Sequence, residues 1–184
     1  MHRIRWILCC PLFLAAVVAV AERPPPAAHT ARVETYFTPG DPADARVIAL
    51  IRQARREILV QAYVFTHRGI ARGLIEARQR GVRVAVIADR EQSERFSGWL
   101  LRDLVDGGVT VLLDGEHEAA HNKVVVVDPG LPDSAVVTGS FNLTYSAQRR
   151  NAENMVVLSG NPAVSMQFAE DWHRHSRHAK PFGR

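Results

Sequence analysis

Apolar and polar positions change period along this chain in a way that lays out its elements. Residues 33–37 alternate as a strand does, and residues 43–56 set Val47, Ile48, Leu50 and Ile51 on one side of a helix. Residues 58–65 read as a strand. Residues 68–80 read as a helix, from the spacing of Ile70, Leu74, Ile75 and Ala77, with Gly81 as the stop signal. Residues 82–88 are almost wholly apolar, which predicts a strand buried on both faces. A helix over 98–105, closed by Gly107 and Gly108, and a strand over 109–113 complete a βαβαβαβ order. The rhythm then changes, because 123–127, 135–138 and 155–158 are strand-like with only loops or a short turn between them. Pro162 opens a last helix on which Val164, Phe168 and Trp172 recur every four residues, a stripe suited to packing on a sheet. No internal repeat is present. The pattern predicts one α/β domain, an α-β-α sandwich with a mixed central sheet.

The first 32 residues fit no part of that alternation. Arg3 and Arg5 precede an apolar run over 7–20, and Ala19-Val20-Ala21 supplies small residues before Glu22. This predicts a signal peptide over 1–21 and export to the periplasm or medium, the run being shorter than the ~20 residues a spanning helix needs. Residues 22–32, with Pro24-Pro25-Pro26, have the composition of an extended linker, leaving 33–184 as the folded domain. Cys9 and Cys10 both lie in the apolar run, so the mature chain has no thiol for disulfides, catalysis or metal. Leu8 stands before Cys9 where a lipoprotein signal needs a small residue. Loss of Arg3 and Arg5 lowers the formal charge from +4 to about +2, so bulk charge argues only weakly for a nucleic-acid partner, although arginines crowd the first half.

Chemistry concentrates in the last third. In a strand, side chains two apart share a face, so His121 and Lys123 point one way and Asn122 the other. An imidazole and an ammonium would then meet one anionic group, the first able to attack phosphorus and the second to hold a non-bridging oxygen. Lys123 and Lys180 are the only lysines against twenty-one arginines, which makes a lysine inside an apolar strand notable. Gly139 permits a tight turn that presents Ser140 and Asn142 as donors, although both also suit capping. Glu153 is placed to accept a proton from the second nitrogen of His121 and so fix its tautomer. Asp128 ends the valine run, where it serves either a turn or the substrate. His173, His175 and His178 have the wrong spacing for one helical face and favour the helix's negative end rather than a metal. His67 and His117 have no partner visible in sequence, and Tyr63 and Phe65 put at least one face of their strand in the core. His178-Ala179-Lys180 repeats the His-x-Lys spacing without an acid after it and is read as coincidence.

The order His121-x-Lys123, four residues, Asp128, then Gly139-Ser140 and Asn142, resembles the signature of the phospholipase D superfamily. More narrowly it is similar to the small secreted bacterial endonucleases that carry one motif per chain, and the similarity takes in residues 61–66 and 81–84. The resemblance implies the phospholipase D-like sandwich and a catalytic set of His121, Lys123, Asp128, Ser140, Asn142 and Glu153. It implies a homodimer whose two motifs meet in one active site. One His121 would attack phosphorus to give a phosphohistidine, and the other would protonate the leaving oxygen and then activate water. Lys123 and Asn142 of both chains would hold the oxygens, with Ser140 assisting and neither metal nor cofactor required. The implied substrate is nucleic acid, DNA with RNA left open. A phospholipid, cleaved or transferred by the same chemistry, is the alternative. A catalytically silent anion- or nucleic-acid-binding module is the third reading, against which the intact motif argues.

Overall fold

The computed structural model describes residues 30–183, so the expected signal peptide and most of the linker lie outside the described residues. The strands are β1 (Arg32–Thr38), β2 (Glu57–Ala62), β3 (Arg83–Asp89), β4 (Thr110–Asp114), β5 (Lys123–Val127), β6 (Ala135–Gly139), β7 (Glu153–Ser159) and β8 (Lys180–Pro181). The helices are α1 (Ala43–Gln53), α2 (Arg68–Gln79), the single turn α3 (Arg90–Gln92), α4 (Gly98–Asp106), α5 (Tyr145–Arg149) and α6 (Pro162–Ser176). A π-type stretch, Ser93–Ser97, joins α3 to α4.

All eight strands form one sheet in the order β1-β7-β6-β5-β2-β3-β4-β8. β2, β3 and β4 run parallel, while β5, β6, β7 and β1 are antiparallel to their neighbours, so the sheet is mixed as expected. Every residue of β5 is buried, and alternate side chains serve opposite layers. Val125 and Val127 join Ile58, Val60 and Val86 beneath α1, α2 and α4, whose Val47, Ile51, Leu74, Leu101 and Leu104 fill the larger core. Val124 and Val126 join Leu59 and Ile87 on the other side, where Ala169 and Trp172 of α6 cover them. Each such aliphatic side chain contributes about 1.5–3 kcal/mol when fully buried. Trp172 also donates its indole N–H to the Val60 carbonyl at 2.9 Å, tying α6 to the sheet.

Departures from the periodicity have local causes. α1 stops at Gln53 rather than running to residue 56, because the Asp128 carboxylate takes the backbone N–H groups of Arg55, Arg56 and Glu57. The β2 ladder closes at Ala62, and Tyr63 leaves it to bond the Asn122 carbonyl at 2.9 Å. The two-residue β8 and the turn α3 are too short to show a period. Among the described residues no helix is long and apolar enough to cross a membrane.

The topology sends the carboxyl ends of β2, β3 and β4, the start of β5, the end of β6 and the start of β7 to one edge of the sheet. Ala62 faces Lys123 there, and Gly139 faces Met155. Such an edge is where open α/β sheets gather their functional loops.

Candidate active site

At that edge His121, Lys123, Gly139, Ser140, Asn142 and Glu153 line one open cavity of about 430 Å³. His121 and Asn122 lie in extended backbone just ahead of β5, continuing its register through the Tyr63–Asn122 bond. His121 is exposed and Lys123 is 9 % exposed, yet both reach the same ring. The Tyr63 centroid is 4.3 Å from that of His121, and Lys123 Nζ stands 4.7 Å over the Tyr63 face. The shared-face expectation for His121 and Lys123 therefore holds. Lys123 Nζ donates to the His121 carbonyl at 2.8 Å, which aims the ammonium at the histidine's own loop. Burial pushes the Lys123 pKa down, and the negative charge of Glu153 draws it part of the way back.

Ser140 and Glu153 form the opposite wall. Ser140 Oγ donates to Glu153 Oε2 at 2.6 Å and accepts from the Asn154 N–H at 3.0 Å. Asn151 Nδ2 donates to the other oxygen, Glu153 Oε1, at 3.0 Å. Glu153 thus orients Ser140 and Asn151, whereas its expected contact with the His121 imidazole is not the one formed within a chain. Asn142 lines the cavity; its Oδ1 is buried without a hydrogen-bond partner, and its NH2 group is the end that can donate to an anion. Gly139 makes the wall possible. At φ 142° a Cβ would lie 2.4 Å from the Asn154 carbonyl oxygen, so only glycine lets β6 approach β7 here.

Asp128 requires a correction. It lies at the far end of β5 from Lys123, roughly 16 Å away at 3.3 Å per residue, and outside the cavity. There it is 3 % exposed, adopts φ 49°, and accepts the N–H groups of Arg55, Arg56 and Glu57 at 2.9, 2.7 and 3.0 Å. Its carboxylate organises a turn instead of touching the reacting group.

Three residues join the site that sequence reasoning left outside it. Tyr63, which the sequence places in a strand with at least one face in the core, stands one residue past the end of β2 with its ring against His121. Asp89, at the end of apolar β3, accepts the Ala120 N–H at 2.9 Å and so braces the residue before His121. His67 caps α2 by accepting the Ile70 N–H at Nδ1 and faces Asp44 through Nε2 at 3.2 Å. The backbone N–H groups of Thr66 and His67 both reach the Leu143 carbonyl, which fixes the loop carrying Asn142.

A second correction concerns His117, His175 and His178. His117 and His178 reach Asp114 in company with His175, while His173 turns its ring edge-on to Trp172. The i, i+2, i+5 test failed because it included His173; the pair His175 and His178 is i, i+3 and converges.

A sheet edge that gathers imidazole, ammonium, hydroxyl and amide around one open cavity defines an α/β protein with a cationic, donor-rich site. Comparison with known proteins narrows that class. The sequence profile of the family described as cardiolipin synthase, PLD-like domain, matches residues 47–175, and the chain belongs to this phospholipase D-like family. Phospholipase D from Rickettsia prowazekii is 34 % identical over 141 residues, 76 % of this chain and 65 % of that protein. The mitochondrial cardiolipin hydrolase of Xenopus tropicalis is 30 % identical over 138 residues, 73 % of this chain and 63 % of that protein, so the chain spans somewhat under two-thirds of both relatives. Among solved structures, Nuc from Salmonella typhimurium, a phospholipase D family member, superposes with a TM-score of 0.77 at 30 % identity, covering 83 % of this chain and 99 % of that one. NucT from Helicobacter pylori, at 21 % identity and a TM-score of 0.73, shares the fold.

Proposed function

We propose that the protein is a phosphodiesterase that hydrolyses nucleic-acid phosphodiester bonds through a phosphohistidine at His121. The observation that carries this reading is the convergence of His121, Lys123, Ser140, Asn142 and Glu153 on one open cavity. The imidazole attacks phosphorus as the bond to the leaving oxygen breaks, and a second acid must protonate that oxygen. Among the described residues no second histidine lines the cavity, so the acid is the partner subunit's His121 in a homodimer. Water, deprotonated by that same imidazole, then cleaves the P–N bond and releases His121. Lys123 and Asn142 neutralise and hold the equatorial oxygens, which supplies the electrostatic stabilisation that phosphoryl transfer needs. Ser140, oriented by Glu153, adds a hydroxyl.

Nucleic acid is favoured over lipid by what borders the site. A cavity of about 380 Å³ follows the Asn142 loop and is lined by Thr66, His67, Arg68, Gly69, Trp99 and Tyr145. The Arg68 guanidinium stacks 4.8 Å over Trp99, and Tyr145 is 59 % exposed. Aromatic faces beside a guanidinium suit stacked bases and a phosphate backbone. The lipid reading draws support from the names of the phospholipase D and cardiolipin hydrolase relatives and from the cardiolipin synthase description of the family profile.

The test offers the purified protein supercoiled plasmid and, separately, phosphatidylcholine vesicles, in buffer without added divalent metal. Plasmid nicking that disappears in His121→Ala is expected. Lipid turnover with intact plasmid overturns the nucleic-acid reading, and inactivity on both overturns the catalytic one. Export is part of the proposal, with a mature N-terminus at Glu22 on protein recovered outside the cytoplasm; recovery only inside, with Met1 retained, contradicts it.

A further inference from the structure

On the β4 side of the sheet, four metal-ligating side chains converge, none of which lines the His121 cavity. Asp114 ends β4, and its side chain is fully shielded from solvent. Its Oδ2 lies 2.8 Å from His175 Nδ1, 3.1 Å from His178 Nε2 and 3.5 Å from His117 Nδ1. One ligand atom from each of the four residues lies within 4.8 Å of all the others. With bonds of about 2.0–2.1 Å to a tetrahedral zinc ion, neighbouring ligand atoms stand roughly 3.3 Å apart. Three of the six edges of such a tetrahedron are already close to that length.

Hydrogen bonding alone accounts poorly for the arrangement. A carboxylate oxygen offers two lone pairs, and His175 and His178 already take both on this one while Oδ1 is occupied by the Glu116 N–H at 3.1 Å, so His117 Nδ1, at 3.5 Å, is drawn in with no lone pair left for it. Were all three rings protonated, one carboxylate would face three cations with ring centroids only 5.0 to 5.4 Å apart. A divalent cation at the centre removes both difficulties. The other nitrogen of His175, Nε2, stands 3.9 Å from Asp171 Oδ2, an ion-pair neighbour beyond hydrogen-bond reach.

We propose that Asp114, His117, His175 and His178 form a structural zinc site. Three imidazoles and one carboxylate suit zinc, whereas magnesium and calcium take oxygen ligands almost exclusively. Four protein ligands close the coordination sphere, which is the character of a structural rather than a catalytic centre. The ion clips the last turn of α6 and the edge strand β8 onto β4. It also fixes the start of the 115–122 loop, whose far end is braced through Ala120 and Asp89 next to His121.

The test uses the full chain without a histidine tag, purified in metal-free buffer, and reads metal content, thermal unfolding and the visible spectrum with cobalt. Zinc retained at about one per chain is expected, with a rise in Tm of roughly 5–10 °C at a hundredfold excess over Kd and no rise with magnesium. Cobalt should give the intense d–d bands of a tetrahedral site. His117→Ala and His178→Ala should each abolish the zinc response, while His173→Ala, on the same helix but outside the cluster, keeps it. A folded wild-type chain that neither retains zinc nor shifts its Tm overturns the site, as does a response that survives both variants. Should a variant fail to fold, the wild-type titration and cobalt spectrum still decide.

Discussion

Lys123 carries a conflict between burial and charge that the reaction should report. Burial lowers its pKa from the usual ~10.4, and Glu153 only partly offsets this. In the proposed reaction the protonated form holds a phosphate oxygen, so activity is expected to be full below the lowered value and to fall as pH rises through it. A profile of kcat/KM against pH should show an alkaline limb below about 10.4. Glu153→Gln, which removes the opposing charge, should move that limb to lower pH, and Lys123→Arg should remove it at the cost of rate. A limb that stays put in both variants belongs to another group. At this scale what is readable from sequence is place, following from type and spacing: His121, Lys123, Ser140, Asn142 and Glu153 all reach the cavity, although Glu153 there bonds Ser140 and Asn151 rather than the His121 ring. Tyr63 and Asp89 were not readable, because their roles come from the ring and the backbone N–H that other elements bring to them. Asp128 has the right type and spacing for chemistry, and only the direction of β5 shows that it sits at the wrong end.

Elements hold the site through a few backbone-directed contacts, and two substitutions separate holding from chemistry. Asp128→Ala orphans three N–H groups between α1 and β2 and should cost about 2–4 kcal/mol in stability, read by urea unfolding, while kcat per folded molecule is nearly unchanged. A loss of kcat comparable with that of His121→Ala would return Asp128 to the reaction. Gly139→Ala should cost a similar ~2–4 kcal/mol, since its Cβ meets the Asn154 carbonyl and its φ suits glycine. Here activity should fall as well, because Ser140 and Asn154 are displaced together; unchanged kinetics and stability would show that the β6–β7 approach is not tight. Long elements announce themselves, α2 by repeating its period several times and β3 by an unbroken apolar run. β8 and α3 did not, being two and three residues long and held by neighbours rather than by their own pattern. The Asp114 cluster is hidden for a related reason, since its ligands come from segments some sixty residues apart that only the β4–β8 pairing brings together.

The whole molecule remains half a machine if one His121 attacks and another protonates. A large apolar side chain stands free at the site's edge: Phe37, opposite Asn154 in the β1–β7 ladder, is 61 % exposed. Exposed aromatic surface of this kind is what a symmetric interface covers, and a two-fold axis at the cavity mouth would bring the two motifs together. Subunit mixing tests the arrangement more sharply than a mass measurement. When wild-type and His121→Ala chains are exchanged in equal amounts, random pairing leaves about a quarter of the dimers with two histidines. If both are needed, specific activity falls to about a quarter of the wild-type value. A site complete within one chain would leave half, independent of exchange. Dilution adds the second axis, because activity per chain should drop where light scattering shows the dimer dissociating, and a fully active monomer would return the whole reaction to a single His121.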